Sequence, residues 1–250
     1  MQPNAKTKLH GFSDASDDAY GISFYIRVET IEGEIDTHLV FLKIRVSPTT
    51  KATVPKLELS AAHLMAKMLS SVRETHDVAM NDCYLWSDSM IVLHWIRKSP
   101  AKLEVSQANR VAEIQELTEG AAWAHFATKD NPADLCSRGV LPSKLINTKL
   151  WCHGPSWLRS PQPSWPESKL NLSQHDAKIV ESATKNAKPV IGFSHAEPEQ
   201  TTTKTVRLGG ELVDIGLQQA IKISTCDCLR LAIHTQHLQQ IKSTHRSHIP

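Results

Sequence analysis

The chain has 250 residues, 40% of them apolar, so it is long enough for one domain or two and apolar enough to build a core. Its formal net charge is +2, and residues 1–166 hold 18 Lys and Arg against 18 Asp and Glu. That balance excludes a protein that grips nucleic acid through charge alone; such a role would need a local basic surface, or metal ions bridging to phosphate. No apolar run approaches the ~18 residues of a membrane span, so no membrane role is expected. The polar start MQPNAKTKLH and five scattered cysteines fit a reducing, intracellular compartment.

In chain order, residues 9–14 and 20–28 (YGISFYIRV) read as strands joined by a polar Asp/Ser turn. THLVFLKIRV (37–46) is a third strand after a turn at Gly33, and the short links predict an antiparallel meander. Leu57, Ala61, Leu64, Met65, Met68 and Val72 then recur at helical spacing, with Pro55 suited to the first turn. CYLWSDS (83–89) reads as a short buried strand and MIVLHWIRK as the helix after it. Val105, Ala108, Val111, Ile114 and Leu117 mark a further helix that Gly120 would close. AAWAHFA (121–127) predicts the last strand. NPADLCSRG predicts a short helix with Asn131 as N-cap, Pro132 at its first position and Gly139 at its end. The order β-β-β-α-β-α-α-β-α implies an α/β domain over residues 9–140 with a mixed sheet.

Composition changes near Leu141. Residues 141–166 form a Trp/Pro-rich extension whose Trp151, Trp157 and Trp165 are expected to pack back onto the domain. Residues 167–210, rich in Lys, Thr, Ser and Gln, read as a disordered linker, and 211–250 as a weakly helical tail, together a poorly ordered C-terminal extension. In the tail, Cys226, Cys228, His234 and His237 are candidate metal ligands. C-x-C followed by H-x-x-H is not a standard structural zinc spacing, so a poorly ordered helix is the expectation there.

The chemistry lies in the acidic residues. Asp14 ends the first predicted strand, Glu58 sits in the first turn of the first helix, Asp88 ends the fourth strand, and Asp134 opens the last helix. Strand ends and helix starts are where an α/β sheet places functional groups. Four such carboxylates converging could not all ionise without a compensating cation. Oxygen-only ligands suit Mg²⁺ or Mn²⁺ rather than zinc, and a pair of such ions clamps the attacking and leaving oxygens of a phosphoryl displacement. Each residue also has an ordinary reading: Asp134 as a helix-dipole partner, Asp88 as a cap of the helix SMIV, Glu58 as a solvated helix residue. Spacing alone leaves these alternatives open.

FSDAS, PKLELSAA, LWSDSMIVLHWI and NPADLCSRG together resemble the ribonuclease H domain of retrotransposon reverse transcriptases. The closest likeness is to BEL/Pao-type LTR retrotransposons, a family region also labelled Pao retrotransposon peptidase. ANRVAEIQE and KLWCHGPSWL extend the resemblance over roughly residues 9–160. It implies an RNase H-like fold, a five-stranded mixed sheet flanked by helices, and Mg²⁺- or Mn²⁺-dependent hydrolysis, with two ions, of the RNA strand of an RNA–DNA hybrid. It also implies a reverse transcriptase domain as partner, and a cytoplasmic or virus-like-particle location. The family's metal-binding carboxylates carry over to Asp14, Glu58, Asp88 and Asp134, with Asp14 touching both ions. Glu58 and Asp88 would stand on the leaving-oxygen and 2′-hydroxyl side, and Asp134 beside the attacking water. Ser89, Asn109, Arg110 and Asn131 are weaker candidates for substrate contacts, with caps or exposed polar residues as the competing reading.

The sequence departs from the family in two places. Its only histidine near the loop after the last strand, His125, lies inside WAHFA and reads as structural, and no basic insertion occurs between Asp88 and Trp123. Lys98, Lys102 and Arg110, or a reverse transcriptase domain, would then supply the grip. An aspartic peptidase would need D-[ST]-G, which is missing, and a DDE integrase would place its Glu last, whereas Glu58 is second. The competing function is a catalytically silent retroelement remnant that binds nucleic acid or serves structurally.

Overall fold

The computed structural model describes residues 5–48, 50, 52–140, 145, 148–167 and 172–185, and the backbone of 204–208, 211–215 and 221–222. Strands β1 (Lys6–Ala15), β2 (Ala19–Glu29) and β3 (Ile35–Val46) form the expected antiparallel meander. Asp17 and Asp18 are exposed in the turn between β1 and β2, where the Ser16 amide donates to the Ala19 carbonyl at 2.8 Å. Strands β4 (Cys83–Ser87) and β5 (Ala122–His125) add in parallel on the other side of β1, giving the order β5-β4-β1-β2-β3. This is the five-stranded mixed sheet flanked by helices that the sequence predicts.

Helix α1 (Val54–Thr75) crosses one face of the sheet, with proline in its first turn. Its Leu57, Ala61, Leu64, Met65, Leu69 and Val72 pack on Leu9, Ile22, Phe24, Ile26 and Leu85. Met68, expected in the same stripe, is only partly buried. Leu59, Ala62 and Ala66 form a second apolar stripe on α1, which meets α2 (Met90–Arg97) through Ile91, Val92, Trp95 and Ile96 and α3 (Val105–Leu117) through Ala108, Val111 and Ile114. A helix buried on two sides shows two stripes, and a single 3.6-residue period captures only one of them.

The opposite face has an aromatic cover. Phe12, Tyr25, Leu39, Leu42, Trp86 and Phe126 meet Ala133 and Cys136 of the α4 region (Asp134–Ser137), Trp151 of α5 (Lys149–His153), and Leu158 and Trp165 beyond it. Trp151, Leu158 and Trp165 of the Trp/Pro-rich extension thus pack against this face of the sheet.

The structure differs from expectation in the C-terminal part. Within the expected linker, α6 (Gln174–Lys185) is a helix, and its Val180 and Ala183 are buried in the cluster of α1, α2 and α3. Within the expected helical tail, β7 (Glu211–Ile215) pairs antiparallel with β6 (Lys204–Leu208), and β8 (Ile221–Lys222) pairs with Phe41 and Leu42 at the edge of β3. Short β-branched runs such as ELVDI fit a strand as well as a weak helical period, and pairing decides between them. Cys226, Cys228, His234 and His237 lie outside the described residues.

Candidate active site

Strands β1 and β4 run parallel, with Ser13 opposite Ser87 as the last registered pair. The next residue on each is an aspartate, Asp14 and Asp88, so the register alone sets two carboxylates side by side at the carboxyl ends of the sheet's central strands. Asn131 ties them. Its Nδ2 donates to Asp14 Oδ1 and to Asp88 Oδ1, both at 3.3 Å, and lies 3.2 Å from the Ser13 carbonyl. The two carboxylate oxygens are therefore no further apart than twice that bond length. The amide's orientation follows from its other end, where Oδ1 accepts the Ala133 N–H at 3.0 Å.

The other two carboxylates arrive from helix starts. Glu58, in the first turns of α1, accepts from the Ser89 hydroxyl at 2.5 Å. Ser89 is also the N-cap of α2, where its oxygen accepts from the Val92 amide at 3.4 Å. The cap is therefore Ser89, and Asp88 is free of that structural duty. Asp134 is the first residue of α4, and its carboxylate pairs with the Arg138 guanidinium one turn later. Ser137, on the same turn, donates to Asp14 Oδ2. Close approach of α4 to the sheet depends on Gly21, the partner of Asp14 in β2: a Cβ there would lie 2.8 Å from the Cys136 Cβ. That contact forbids a side chain in the strand position beside the site.

Charge in the cluster is poorly compensated. Burial is the main force raising the Asp14 carboxyl to about 7; the Ser137 hydrogen bond opposes it, and the nearby charges of Asp88 and Asp134 add to it. Glu58 rises to about 7 for the same leading reason, opposed by Ser89 and reinforced by Asp88 and Asp14. Asp88 is also raised by burial, against hydrogen bonds from Thr128 and Asn131 and the charge of His125. Asp14 thus feels Asp88 and Asp134, and Glu58 feels Asp88 and Asp14, which ties the four into one electrostatic cluster. An all-oxygen donor set with this unbalanced charge fits a hard divalent cation. No three of the four bring ligand oxygens within 4.8 Å of one another; among the described residues, Asp36, His38 and His153 form the set that does. In the carboxylate cluster, donors from Ser89, Asn131 and Ser137 hold the oxygens instead.

Of the weaker candidates, Ser89 and Asn131 belong to the cluster as partners of the carboxylates. Asn109 and Arg110 do not: both lie on α3, Asn109 exposed, and Arg110 donating to the Ser106 carbonyl at 3.1 Å. The charge of Arg110 is felt at His63, further along α1 than Glu58. Three contributors escaped the sequence reading. Ser137 and Thr128 touch carboxylates through hydroxyls that no spacing rule singles out, and His125, read as structural, ends β5 beside Ser87 with its charge felt at Asp88.

These elements define an α/β domain with a mixed sheet and a carboxylate cluster at the carboxyl edge of that sheet. Residues 1–89 match the family described as Pao retrotransposon-like RNaseH-like domain, and over that stretch the chain is similar to it. The matched stretch contains Asp14, Glu58 and Asp88 and ends before Asp134. No curated protein matches the chain. Similar solved structures include the N-terminal RNase H domain of Rv2228c from Mycobacterium tuberculosis, at 10% identity and TM-score 0.34, covering 50% of this chain and 86% of that one. RNase H1 from Halobacterium salinarum overlaps at 13% identity and TM-score 0.30, covering 51% and 89%. A foamy viral protease-reverse transcriptase in complex with RNA/DNA hybrid overlaps at 13% identity and TM-score 0.28, covering 51% and 18%. Among the described residues, no helix is long and apolar enough to cross a membrane.

Proposed function

We propose that this chain is a BEL/Pao-type RNase H domain that hydrolyses the RNA strand of an RNA–DNA hybrid, with Asp14, Glu58, Asp88 and Asp134 as the carboxylates that hold two Mg²⁺ or Mn²⁺ ions. The observation that carries the proposal is the Asn131 amide bonded to both Asp14 and Asp88, on adjacent parallel strands, with Glu58 and Asp134 coupled to them by charge. Bound divalent ions would supply Lewis-acid stabilisation of the phosphoryl transition state and a water acidic enough to attack at neutral pH.

The chain's own part is positioning. Asn131 and Ser137 hold the two faces of the Asp14 carboxylate, so its oxygens cannot rotate freely. Ser89 fixes Glu58 while capping α2, which locks α1 to the β4–α2 turn that carries Asp88. The carboxylates' raised pKa values mean that protons occupy part of the cluster in the absence of cations, and divalent ions would displace them. Ser89 and Asn131, with Asn109 and Arg110 further along the α3 surface, are proposed as hybrid contacts. The 2′-hydroxyl is the group by which such a site tells RNA from DNA. A reverse transcriptase domain as partner and an intracellular location belong to the same proposal.

One observation favours the silent-remnant reading: Asp134 is already neutralised by Arg138. A labelled RNA–DNA hybrid in Mg²⁺ separates the two. Cleavage by the native chain, reduced more than about 1000-fold in Asp88→Asn, is expected for loss of a metal-holding carboxylate. A folded native chain that leaves the hybrid intact with both Mg²⁺ and Mn²⁺ sinks the enzyme reading.

A further inference from the structure

A second cluster lies at the other end of the sheet, outside the proposed active site. Asp36 and His38 stand two residues apart on β3, hence on one side of the strand. His153 ends α5 in the Trp/Pro-rich extension. Each offers one ligand atom, and the three atoms lie within 4.8 Å of one another. Relative to Ile44, which is level with Gly21 and so with Asp14, His38 is six residues along β3, about 20 Å away at the usual rise per strand residue.

Two of the three ligands, His153 and Asp36, are also oriented by a further bond. His153 Nδ1 donates to the Thr37 carbonyl at 2.8 Å, and the Thr37 hydroxyl donates back to the His153 carbonyl at 2.7 Å. A carbonyl can only accept, so the neutral ring carries its proton on Nδ1 and keeps its lone pair on Nε2. That is the arrangement a metal-binding histidine needs, with the other ring nitrogen anchored to a backbone carbonyl. Asp36 Oδ1 accepts the Thr37 amide at 2.8 Å, which leaves Oδ2 facing His38 Nε2 at 2.7 Å. The His38 and His153 rings lie 5.8 Å apart between centroids. Asp36 and His38 have side chains 67% and 39% exposed, so an ion can enter from solvent.

We propose that Asp36, His38 and His153 form a binding site for a transition-metal ion of the Zn²⁺ class, which clips the Trp/Pro-rich extension to strand β3. Two imidazoles and one carboxylate suit zinc or cobalt and disfavour Mg²⁺, whereas the all-oxygen cluster at the other end has the opposite preference. The ion takes the place of the hydrogen bond between His38 Nε2 and Asp36 Oδ2, the neutral His38 ring carrying its one proton on Nδ1, and water completes the coordination. Because one ligand comes from the extension and two from the sheet, the ion stabilises the docked extension over the undocked one.

The test uses the full chain, stripped with chelator and titrated with ZnCl₂, and separately with Co²⁺ to read coordination from its visible spectrum. One Zn²⁺ per chain is expected at the site, with a raised thermal midpoint and a Co²⁺ band diagnostic of nitrogen and oxygen ligands. His38→Gln and His153→Gln should each weaken binding at least 10-fold, while their metal-free melting stays within a few degrees of the native chain's, which shows that they fold. A Cys226→Ser/Cys228→Ser variant should keep both the ion and the spectrum, and so should Asp88→Asn, which separates this site from the carboxylate cluster. Binding lost in the cysteine variant but kept in the two histidine variants would overturn the proposal, as would no Zn²⁺ binding by the native chain at 100 µM.

Discussion

The aromatic face and the carboxylate edge belong to the same sheet and treat buried polar groups in opposite ways. Under the extension, buried donors find acceptors of suitable sign. The Tyr25 hydroxyl donates to the Trp151 carbonyl at 2.8 Å, Arg27 Nε to the Leu158 carbonyl at 2.9 Å, and Trp86 Nε1 to His10 Nδ1 at 3.1 Å. Burial, with help from the charges of Arg27 and Lys8, keeps His10 neutral and thus able to accept that bond. His10 Nε2, Ser23 Oγ and Trp157 Nε1 are the exceptions on this face, buried without a hydrogen-bond partner among the described residues. At the carboxylate edge three acidic groups are pushed above their ordinary range by burial, and two of them, Asp14 and Glu58, by neighbouring carboxylates as well. One region is arranged for stability, and the other stores repulsion that a ligand can relieve.

Removing Trp151 should do the most damage. It is 4% exposed within the aromatic cover, so Trp151→Ala opens a cavity between the extension and the sheet. A loss of roughly 3–5 kcal/mol by urea unfolding is expected for truncating a buried tryptophan. A loss below 1 kcal/mol would show that the extension does not hold the face. Arg27→Ala comes next. The arginine is 1% exposed, bonded to the Leu158 carbonyl and paired with Glu29 at 2.8 Å. Its loss leaves the Leu158 carbonyl without its buried donor and empties the space of a fully buried side chain, for about 2–3 kcal/mol.

The carboxylate edge should behave in the reverse sense. Asp14 and Glu58 hold their protons up to about 7, against 3.8 and 4.5 for the free groups. Between those values the folded chain binds more protons than the unfolded one, so stability is fully present below about pH 4 and falls as pH rises to about 7. Without divalent ions, stability at pH 8 should be roughly 2–4 kcal/mol below that at pH 5. Asp14→Asn should flatten that decline and exceed the native chain at pH 8 by about 1–3 kcal/mol. Mg²⁺ should restore the native chain at pH 8 and leave the variant unmoved. Native stability that rises between pH 5 and 8 would contradict the repulsion argument.

How much of this was legible in the residues follows the same division. Strands β1 to β5 and helix α1 show in the sequence because alternation and the 3.6-residue period report a buried side against an exposed one. The four carboxylates show because strand ends and helix starts are predictable positions, and their motifs resemble a known family. Asn131 was visible as a cap or a weak substrate contact but not as a bridge, since its link between Asp14 and Asp88 depends on a register between strands that are distant in sequence. Ser137 was invisible for the same reason. Helix α6 was missed because its polar sequence hides two small apolar contacts, Val180 and Ala183, whose value depends on α2 and α3 being beside them. The clip at Asp36, His38 and His153 joins residues more than a hundred positions apart, and no spacing rule reaches that far.

The smallest expected effect bears on the sharpest question, whether the edge is an active site or a remnant of one. Arg138 is 66% exposed in its pair with Asp134, and a surface ion pair of that kind contributes about 0.5 kcal/mol or less. Arg138→Gln should therefore leave urea unfolding almost unchanged. Its consequence for metal binding is distinct, because the guanidinium competes with any cation for the Asp134 carboxylate and adds positive charge beside Asp14 and Asp88. Removing it should lower the Mg²⁺ concentration for half-maximal hybrid cleavage by about 2- to 5-fold, the size of a screened interaction of ~0.5–1 kcal/mol. If the Mg²⁺ requirement rises instead, Arg138 assists the ions or the hybrid phosphates, and the pair with Asp134 is a resting arrangement that substrate breaks.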